Sequence, residues 1–359
     1  MKFIDKISTA ILGIMFFSAP AAGYAAVYAD EAEITTAWQS EHEAFIPWYA
    51  KKMQWDKELG INLKLLHFQS GDEIAKSLQS TDWAVAGIGM KPALTSVHAH
   101  KMLLIGIANN ESEANAVYVH KDSPIVSVKG QLAEYPGLCG SKELIADKTV
   151  LYTKNTSAEL LLDVWLDRFD LTKSDLKLKS FDPRAASGAF KAGMGDIFAT
   201  WSPYTLVSEK NGFVQIANGK TCGIEQYVFL VANSDYASRH PEQIEKVMQL
   251  YFRGIERILH ADKQEIAKEY MQFYKEWIGQ ELDMETALRD LELHRIYSLA
   301  EQIGMFRQND ANQSTVKNFL LEMIDFYNRQ GAVKSNALPR LQRLDNVSDT
   351  FLKAVRQLQ

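Results

Sequence analysis

The feature that most constrains the fold is an alternation of short strand-like and helix-like stretches, which restarts once along the chain. The strand-like runs EITTAWQ, INLKLLHF and WAVAGIG alternate with helical stretches, and KTVLYT begins a second series of the same kind. Alternating strands and helices predict a parallel sheet with helices on both faces. Two such series, followed by an almost wholly helical region from Pro241, predict an α/β protein with two lobes and a helical tail.

Length and charge agree with a two-lobed globular protein. The 359 residues exceed what one hydrophobic core usually fills, and a composition of 47% hydrophobic and 23% charged residues is typical of globular chains. The net charge is −6, and no long cluster of lysine and arginine occurs that could neutralise a run of phosphates. We therefore expect no nucleic-acid partner.

Residues 1–29 have the pattern of a secretory signal peptide. Lys2 and Lys6 make a positive start, the apolar run ISTAILGIMFFSA follows, and VYA offers a cleavage site. The alternative is an uncleaved N-terminal anchor, which the shortness of the apolar run before Pro20 disfavours. We expect a protein that is exported to the periplasm and loses its signal peptide.

Cys139 and Cys222 are the two cysteines of the chain. Two cysteines of an exported protein commonly pair, so we expect a disulfide between them, with two free thiols as the alternative. They form no Cys-x-x-Cys motif, and two cysteines alone cannot complete a tetrahedral zinc site. The sequence predicts no metal site.

Motifs of the common enzyme classes are missing from the sequence. It contains no Gly-x-Ser-x-Gly elbow, no Gly-x-x-x-x-Gly-Lys-[Ser/Thr] phosphate loop, no His-Glu-x-x-His and no kinase signature. No pair of carboxylates stands out from the charged background as a general acid and base. We expect a protein that is not an enzyme and has no cofactor.

Four segments, taken in order, carry a family resemblance: HEAFIPWYAKKMQWDKELGINLKLLHFQSGDEIAKSLQSTDWAVAGIGMKPAL, DKTVLYTKNTSAELLLDVWLDRFDL, AFKAGMGDIFATWSPY and VANSDYASRHPEQIEKVMQLY. Their order resembles the substrate-binding proteins of nitrate/taurine/sulfonate ABC importers, a group that looks related to the NMT1-like pyrimidine-precursor proteins. The resemblance implies a type II periplasmic-binding fold, a monomer whose two lobes close on a small-molecule solute and deliver it to ABC permease subunits. Lobe one would hold residues 30–117 and 231–359, and lobe two residues 118–230.

Candidate ligand-binding residues follow from the ends of the predicted strands. Ligands of open α/β sheets bind beyond the carboxyl ends of the strands, where helix N-termini present unpaired N–H groups. Four strand ends carry aromatic, charged or hydroxyl side chains at this place. The candidates are Trp38, His42 and Glu43 after the first strand, Met90 and Lys91 after WAVAGIG, Thr153, Asn155, Thr156 and Ser157 after KTVLY, and Trp201 and Tyr204 after DIFAT.

Each candidate also has an ordinary structural explanation. Thr156 and Ser157 could cap the following helix without touching a ligand. Trp201 could be core packing, as aromatic side chains usually are, and Lys91 could be the solvated start of a helix. His42, which Glu41 and Glu43 flank, could bind a metal, but alternate residues of a strand or loop rarely converge on one ion without further ligands.

The expected ligand follows from the same residues. Lys91 and the helix start after KTVLY suit an anion, whereas Trp201 and the acidic Glu43 suit an ammonium group. We therefore expect a small organic anion or zwitterion, such as a taurine-like sulfonate or an aromatic acid, captured by hinge closure. The alternatives are a secreted ligand sensor of the same fold and a binder of pyrimidine-type thiamine precursors.

Overall fold

The structure is a computed structural model that describes residues 32–96 and 101–357. The expected signal peptide at residues 1–29 lies outside the described residues. No helix within the described ranges is both long enough and apolar enough to span a membrane.

The strands form two separate five-stranded sheets. The described strands are β1 (Ala32–Gln39), β2 (Ile61–Phe68), β3 (Val85–Ile88), β4 (Met102–Asn110), β5 (Asn115–Val119), β6 (Thr149–Tyr152), β7 (Lys177–Ser180), β8 (Ile197–Trp201), β9 (Val214–Asn218) and β10 (Tyr227–Asn233). The first sheet has the order β2-β1-β3-β10-β4, and the second has the order β7-β6-β8-β5-β9.

Both sheets are mixed, which corrects the expectation of parallel sheets. In the first sheet β1 is parallel to β2 and β3, but β10 is antiparallel to β3 and β4. In the second sheet β6 is parallel to β7 and β8, whereas β5 is antiparallel to β8 and β9. The antiparallel strand of each sheet is the one that arrives from the other sheet, so its direction follows from that connection and not from a βαβ unit.

Two crossovers connect the sheets. Residues 111–114 lead from β4 to β5, and residues 219–226 lead from β9 back to β10. We call the part built on the first sheet the first lobe and the part built on the second sheet the second lobe. The predicted lobe boundaries, 117/118 and 230/231, fall inside β5 and β10, a few residues after the crossovers.

The helices cover the faces of both sheets and form most of the region after residue 241. The described α-helices are α1 (Phe45–Lys52), α2 (Trp55–Glu58), α3 (Gly71–Ser77), α4 (Met90–Ser96), α5 (Lys142–Ile145), α6 (Ser157–Asp167), α7 (Pro183–Lys191), α8 (Tyr204–Lys210), α9 (Ser234–Arg239), α10 (Pro241–His260), α11 (Lys263–Phe273), α12 (Met284–Leu293), α13 (Leu299–Phe306), α14 (Thr315–Arg329), α15 (Leu338–Arg343) and α16 (Thr350–Gln357). Gln54 has a left-handed φ of 58° and separates α1 from α2.

The helical tail packs on the first lobe. In α10 the buried residues Ile244, Val247 and Tyr251 recur at intervals of three and four, so they form one apolar face. Gln302 of α13 donates to the backbone oxygen of Ile107 in β4 and accepts from its backbone N–H, both at 2.8 Å. These contacts fix the tail to β4, an edge strand of the first sheet.

Candidate functional site

Strand ends and helix starts from both lobes meet at a narrow space that we call the inter-lobe cavity. Its volume is about 10 Å³, which is room for about one water. The lobes are therefore closed on one another in this structure. The lining residues are Gln39, Glu41, Gly71, Gly89, Pro92, Glu111, Asn115, Thr156, Ser157 and Trp201.

Two buried glutamates follow β1. Glu41 lines the cavity, where the Trp201 side chain hydrogen-bonds to its carboxyl, and Glu43 accepts from Gln39 Nε2 at 2.9 Å through Oε1. The other carboxyl oxygen of Glu43 has no hydrogen-bond partner. Burial raises the pKa of both carboxyls, that of Glu43 to about 8. Glu43 is therefore largely protonated near neutral pH.

A third carboxyl comes from the first crossover. Glu111 is 2% exposed, and its Oε1 has no hydrogen-bond partner. Asn115 donates Nδ2 to the backbone oxygen of Glu111 at 3.1 Å. Because a carbonyl can only accept, this bond fixes the amide and leaves Oδ1, which also has no partner, as its free atom. Glu111 in the crossover and Asn115 at the start of β5 thus give the cavity two unsatisfied acceptors, and burial raises the pKa of Glu111.

The second lobe contributes the N-terminus of α6. Thr156 caps this helix by accepting the backbone N–H of Glu159 at 3.3 Å. Ser157 Oγ accepts the backbone N–H of Met90 at 3.0 Å, which joins the two lobes directly. A Cβ at Gly89 would lie 2.4 Å from Ser157 Oγ, so the lobes can approach this closely only because residue 89 has no side chain.

A polar network lies behind Glu41 and is centred on the fully buried Asp290. Its carboxylate accepts from Ser202 at 2.6 Å, from Tyr270 at 2.8 Å and from Tyr274 at 2.5 Å. The three donors come from the turn after β8 and from α11 and its direct continuation, and Ser202 ties the second lobe to the tail through this carboxyl.

His42 belongs to this network and does not line the cavity. Its ring stacks on His294 with centroids 4.7 Å apart, and its Nδ1 lies 3.2 Å from the hydroxyl of Tyr270. Burial, with the neighbouring His294, lowers the pKa of His42 well below its usual value, so the ring is neutral. Among the described residues, no group of three or more His, Cys, Asp or Glu side chains could hold a metal ion.

Lys91 forms a cross-lobe ion-pair cluster beside the cavity. Its Nζ lies 2.8 Å from both Glu159 Oε2 and Asp163 Oδ2 of α6, and Lys173 pairs with the same two acids at 2.6 and 3.0 Å. Burial raises the pKa of Glu159, but the charges of Lys91 and Lys173 outweigh it and hold the pKa below its usual value. Tyr327 of α14 donates to Asp163 at 3.1 Å. Lys91 thus joins the lobes, and its charge is already neutralised.

Asn155 makes a second connection across the lobes. It adopts a left-handed φ of 54°, donates Nδ2 to Asp72 at 2.5 Å, and accepts from Thr95 at 2.9 Å. Both partners belong to the first lobe. Asn155 therefore acts at the rim of the closed cleft, outside the lining of the cavity.

The remaining candidates also lie around the cavity and not on its wall. Trp38 is fully buried and stacks on Tyr251 in the core of the first lobe, with ring centroids 5.8 Å apart. Tyr204 packs edge-on against Trp201 at 6.1 Å. Met90 contributes its backbone N–H to Ser157, and Thr153 gives its backbone oxygen to Thr156 at 2.8 Å. Of the predicted residues, Thr156, Ser157 and Trp201 line the cavity.

A larger space of about 440 Å³ lies between α4 and the tail, and Lys91, Lys173 and Tyr327 line part of it. Lys91 and Lys173 are paired with Glu159 and Asp163, so they offer little charge to an anion. Lys334 and Arg340 also line this space. In contrast, the inter-lobe cavity carries buried polar atoms without partners. We therefore assign the candidate solute site to the inter-lobe cavity.

The two cysteines are both buried free thiols, so the expected disulfide is absent from the structure. Each packs as a small apolar side chain in the hydrophobic core. Burial raises the pKa of Cys139 and raises that of Cys222 to about 12. Because thiol exchange requires the thiolate, such burial opposes the pairing that cysteine number alone suggested.

The fold and the cavity together define a class: a type II periplasmic-binding protein fold, with two α/β lobes, two crossovers and a helical C-terminal region. Many solved structures resemble it, and two of them illustrate the similarity. The alkanesulfonate-binding protein SsuA of Xanthomonas axonopodis pv. citri, bound to MOPS, has a TM-score of 0.66 at 18% identity and covers 86% of this chain and 97% of its own. The nitrate-binding protein NrtA of Synechocystis has a TM-score of 0.65 at 13% identity, with 91% and 89% covered.

This chain belongs to the NMT1-like family, which matches residues 33–273. A putative aliphatic sulfonates-binding protein of Bacillus subtilis is 22% identical over 311 residues, which are 85% of this chain and 82% of the relative. A putative ABC transporter periplasmic binding protein of Brachyspira hyodysenteriae is 22% identical over 266 residues, 74% of this chain and 75% of the relative. Similarity to these proteins supports a solute-binding role.

Proposed function

We propose that this protein is the solute receptor of an ABC importer, which captures a small organic zwitterion or anion between its lobes and delivers it to a membrane permease. The observation that carries the proposal is the set of buried, unpartnered polar atoms at a cavity that both lobes build. Unpaired buried acceptors cost free energy unless a ligand satisfies them, so they favour a solute there. We propose no catalytic step.

Closure supplies the binding mechanism. Ser157 and Asn155 contact the first lobe only when the lobes are together. Because the cavity has room for about one water, a solute that touches both lobes must hold them further apart than they are in this structure. Binding would therefore shift the population from an open to a closed form by the difference in affinity for the two forms. The N-terminus of α6 suits an anionic group of the solute, and the face of Trp201 suits its apolar part.

We infer the class of solute from the residues of the site together with the names of the relatives. Two of them are named for sulfonates, and an aminosulfonate such as taurine carries an anionic group for α6 and a nitrogen for the glutamates. The proposed location is the periplasm, after removal of residues 1–29. Intact-mass analysis of the exported protein should show these residues missing, and full-length protein in the membrane fraction would contradict export in soluble form.

Solution scattering and thermal unfolding test the proposal together. A solute present at a hundredfold excess over its dissociation constant should stabilise the protein by about 2.7 kcal/mol, and the radius of gyration should fall at the same time. Stabilisation without compaction would contradict capture between lobes. A permease and an ATPase gene beside this gene would favour import over a secreted sensor of the same fold.

A further inference from the structure

We infer that Glu111 and Asn115 form a subsite for a protonated nitrogen of the solute, and that solutes without such a nitrogen are rejected. This inference rests on the proposed function, since it names the solute chemistry of the same cavity. Both residues line the cavity, both are buried, and each points to a ligand through an unpartnered acceptor atom, Oε1 of Glu111 and Oδ1 of Asn115.

Gln39, Asn115 and Thr156 around the cavity each already donate a side-chain hydrogen bond to the protein. Gln39 donates to Glu43, Asn115 donates to the backbone of Glu111, and Thr156 donates to the backbone of Thr153. The Trp201 side chain is bonded to the Glu41 carboxyl, and the hydroxyl of Ser157 interacts with the carboxyl of Glu111. Glu111 and Asn115 offer the cavity hydrogen-bond acceptors. A group that donates several hydrogen bonds satisfies them best.

Charge points in the same direction. No lysine or arginine lines the cavity within the described ranges, whereas Glu41 and Glu111 do. Lys91, the cation predicted to face the solute, is paired with Glu159 and Asp163. A cationic nitrogen would meet ionisable carboxyls without a competing cation, and charge-assisted hydrogen bonds are about twice as strong as neutral ones.

Binding of such a group should release a proton. Glu41, Glu43 and Glu111 are buried close together, with Asp290, His42 and His294 behind them, and burial raises the pKa of all three glutamates. A cation favours their ionised forms and so lowers these pKa values. The affinity for a cationic nitrogen should therefore rise as the pH increases from 6 to 8. Binding of a purely anionic solute should instead be accompanied by proton uptake, and its affinity should fall over the same pH range.

The first experiment uses pairs of compounds that differ only in the nitrogen. Taurine is compared with ethanesulfonate, β-alanine with propionate, and 4-(aminomethyl)benzenesulfonate with toluenesulfonate, by calorimetry of the full mature chain at pH 6 and pH 8. The inference predicts that the nitrogen compound binds more tightly in at least one pair, with proton release in buffers of different ionisation enthalpy. If the nitrogen compound binds no more tightly than its partner in any of the three pairs, the inference is wrong.

The variants separate the subsite from general effects on folding. Glu111→Gln should weaken binding of the preferred nitrogen compound by about 10- to 100-fold, the loss of one charge-assisted hydrogen bond, and should reduce the proton release. The matched control is Glu113→Gln in the same crossover, because Glu113 is 45% exposed and pairs with Lys220 at the surface. If Glu111→Gln binds the nitrogen compound with the same affinity as Glu113→Gln, the inference is wrong. An anion without nitrogen that binds and compacts the protein would overturn it too, but would leave the proposed function standing.

Discussion

Lys91 Nζ lies 2.8 Å from Glu159 Oε2, and this ion pair joins the first lobe to the second beside the inter-lobe cavity. Both side chains are less than 10% exposed, so the pair is shielded from water. It exists only while the lobes are closed, because the two residues belong to different lobes. The stability of the closed form should therefore depend on Lys91 even though Lys91 does not line the cavity.

Lys91→Met should weaken solute binding and enlarge the ligand-free protein in solution scattering. Loss of a hydrogen-bonded charge costs about 1.5–3 kcal/mol, and the effect should be moderate because Lys173 still pairs with both acids. Lys101→Met is the matched control, since Lys101 pairs with Asp235 in exposed positions within one lobe. Equal affinities of the two variants would show that the Lys91 cluster does not stabilise closure.

Gly89→Ala should oppose closure by steric contact. The added Cβ would lie 2.4 Å from Ser157 Oγ and 3.3 Å from Glu111 Oε1, so we expect binding to weaken by about tenfold or more, or about 1.4 kcal/mol. Gly304→Ala is the control, because a Cβ there meets nothing within 4 Å. Combining Gly89→Ala with Ser157→Ala should cost less than the sum of the single changes. Wild-type affinity of Gly89→Ala would contradict the closed geometry.

The stability of the ligand-free protein should fall as the pH rises through neutrality. The pKa of Glu43 is raised from its usual value to about 8, so the folded protein binds more protons than the unfolded chain between about pH 4.5 and 8. Each such group lowers the free energy of unfolding by about 1.4 kcal/mol per pH unit in this window. Glu41 and Glu111 act in the same direction.

Glu43→Gln keeps an acceptor for Gln39 but removes the titration, so it should flatten this pH dependence. The measurement is denaturant unfolding at pH 5.5, 6.5 and 7.5 for the wild type, Glu43→Gln and the exposed control Glu113→Gln. The control should keep the wild-type slope. An unchanged slope in Glu43→Gln would mean that its carboxyl is ionised in the folded protein.

Cys139 and Cys222 should react with a thiol reagent only after unfolding. Both are buried, and burial raises the pKa of both thiols, so the folded protein should give little reaction and the denatured protein two thiols without added reductant. Reducing agent should leave the midpoint of thermal unfolding unchanged. If the denatured protein reacts with the thiol reagent only after reduction, Cys139 and Cys222 form a disulfide.

The lobes, the helical tail and part of the cavity could be predicted from the sequence because each rests on local pattern. Strand ends and helix starts are visible locally, and this rule found Thr156, Ser157 and Trp201. Glu111 was missed because it lies in a crossover, which has no periodicity and no helix start. Asn115 was missed because it begins β5, whereas the rule considered only where strands end. The available signal was a glutamate between the two apolar runs of β4 and β5.

Side-chain partners could not be predicted in the same way. Lys91 follows a strand as a solute-binding cation would, but its neutralising partners come from the other lobe and are brought near only by closure. Trp38 also follows the strand-end rule, yet it points into the core, where it packs on Tyr251 of α10. Such pairings depend on contacts between distant segments, which local sequence patterns do not encode.

Hydrogen exchange with mass spectrometry, with and without a saturating compound that stabilises the protein, tests capture between the lobes most directly. We predict that the compound protects residues 39–43, 89–95, 111–115 and 156–160 together, since these segments surround the inter-lobe cavity. Protection confined to one lobe, or centred on residues 324–341 beside the larger space near Lys91, would contradict the proposed site.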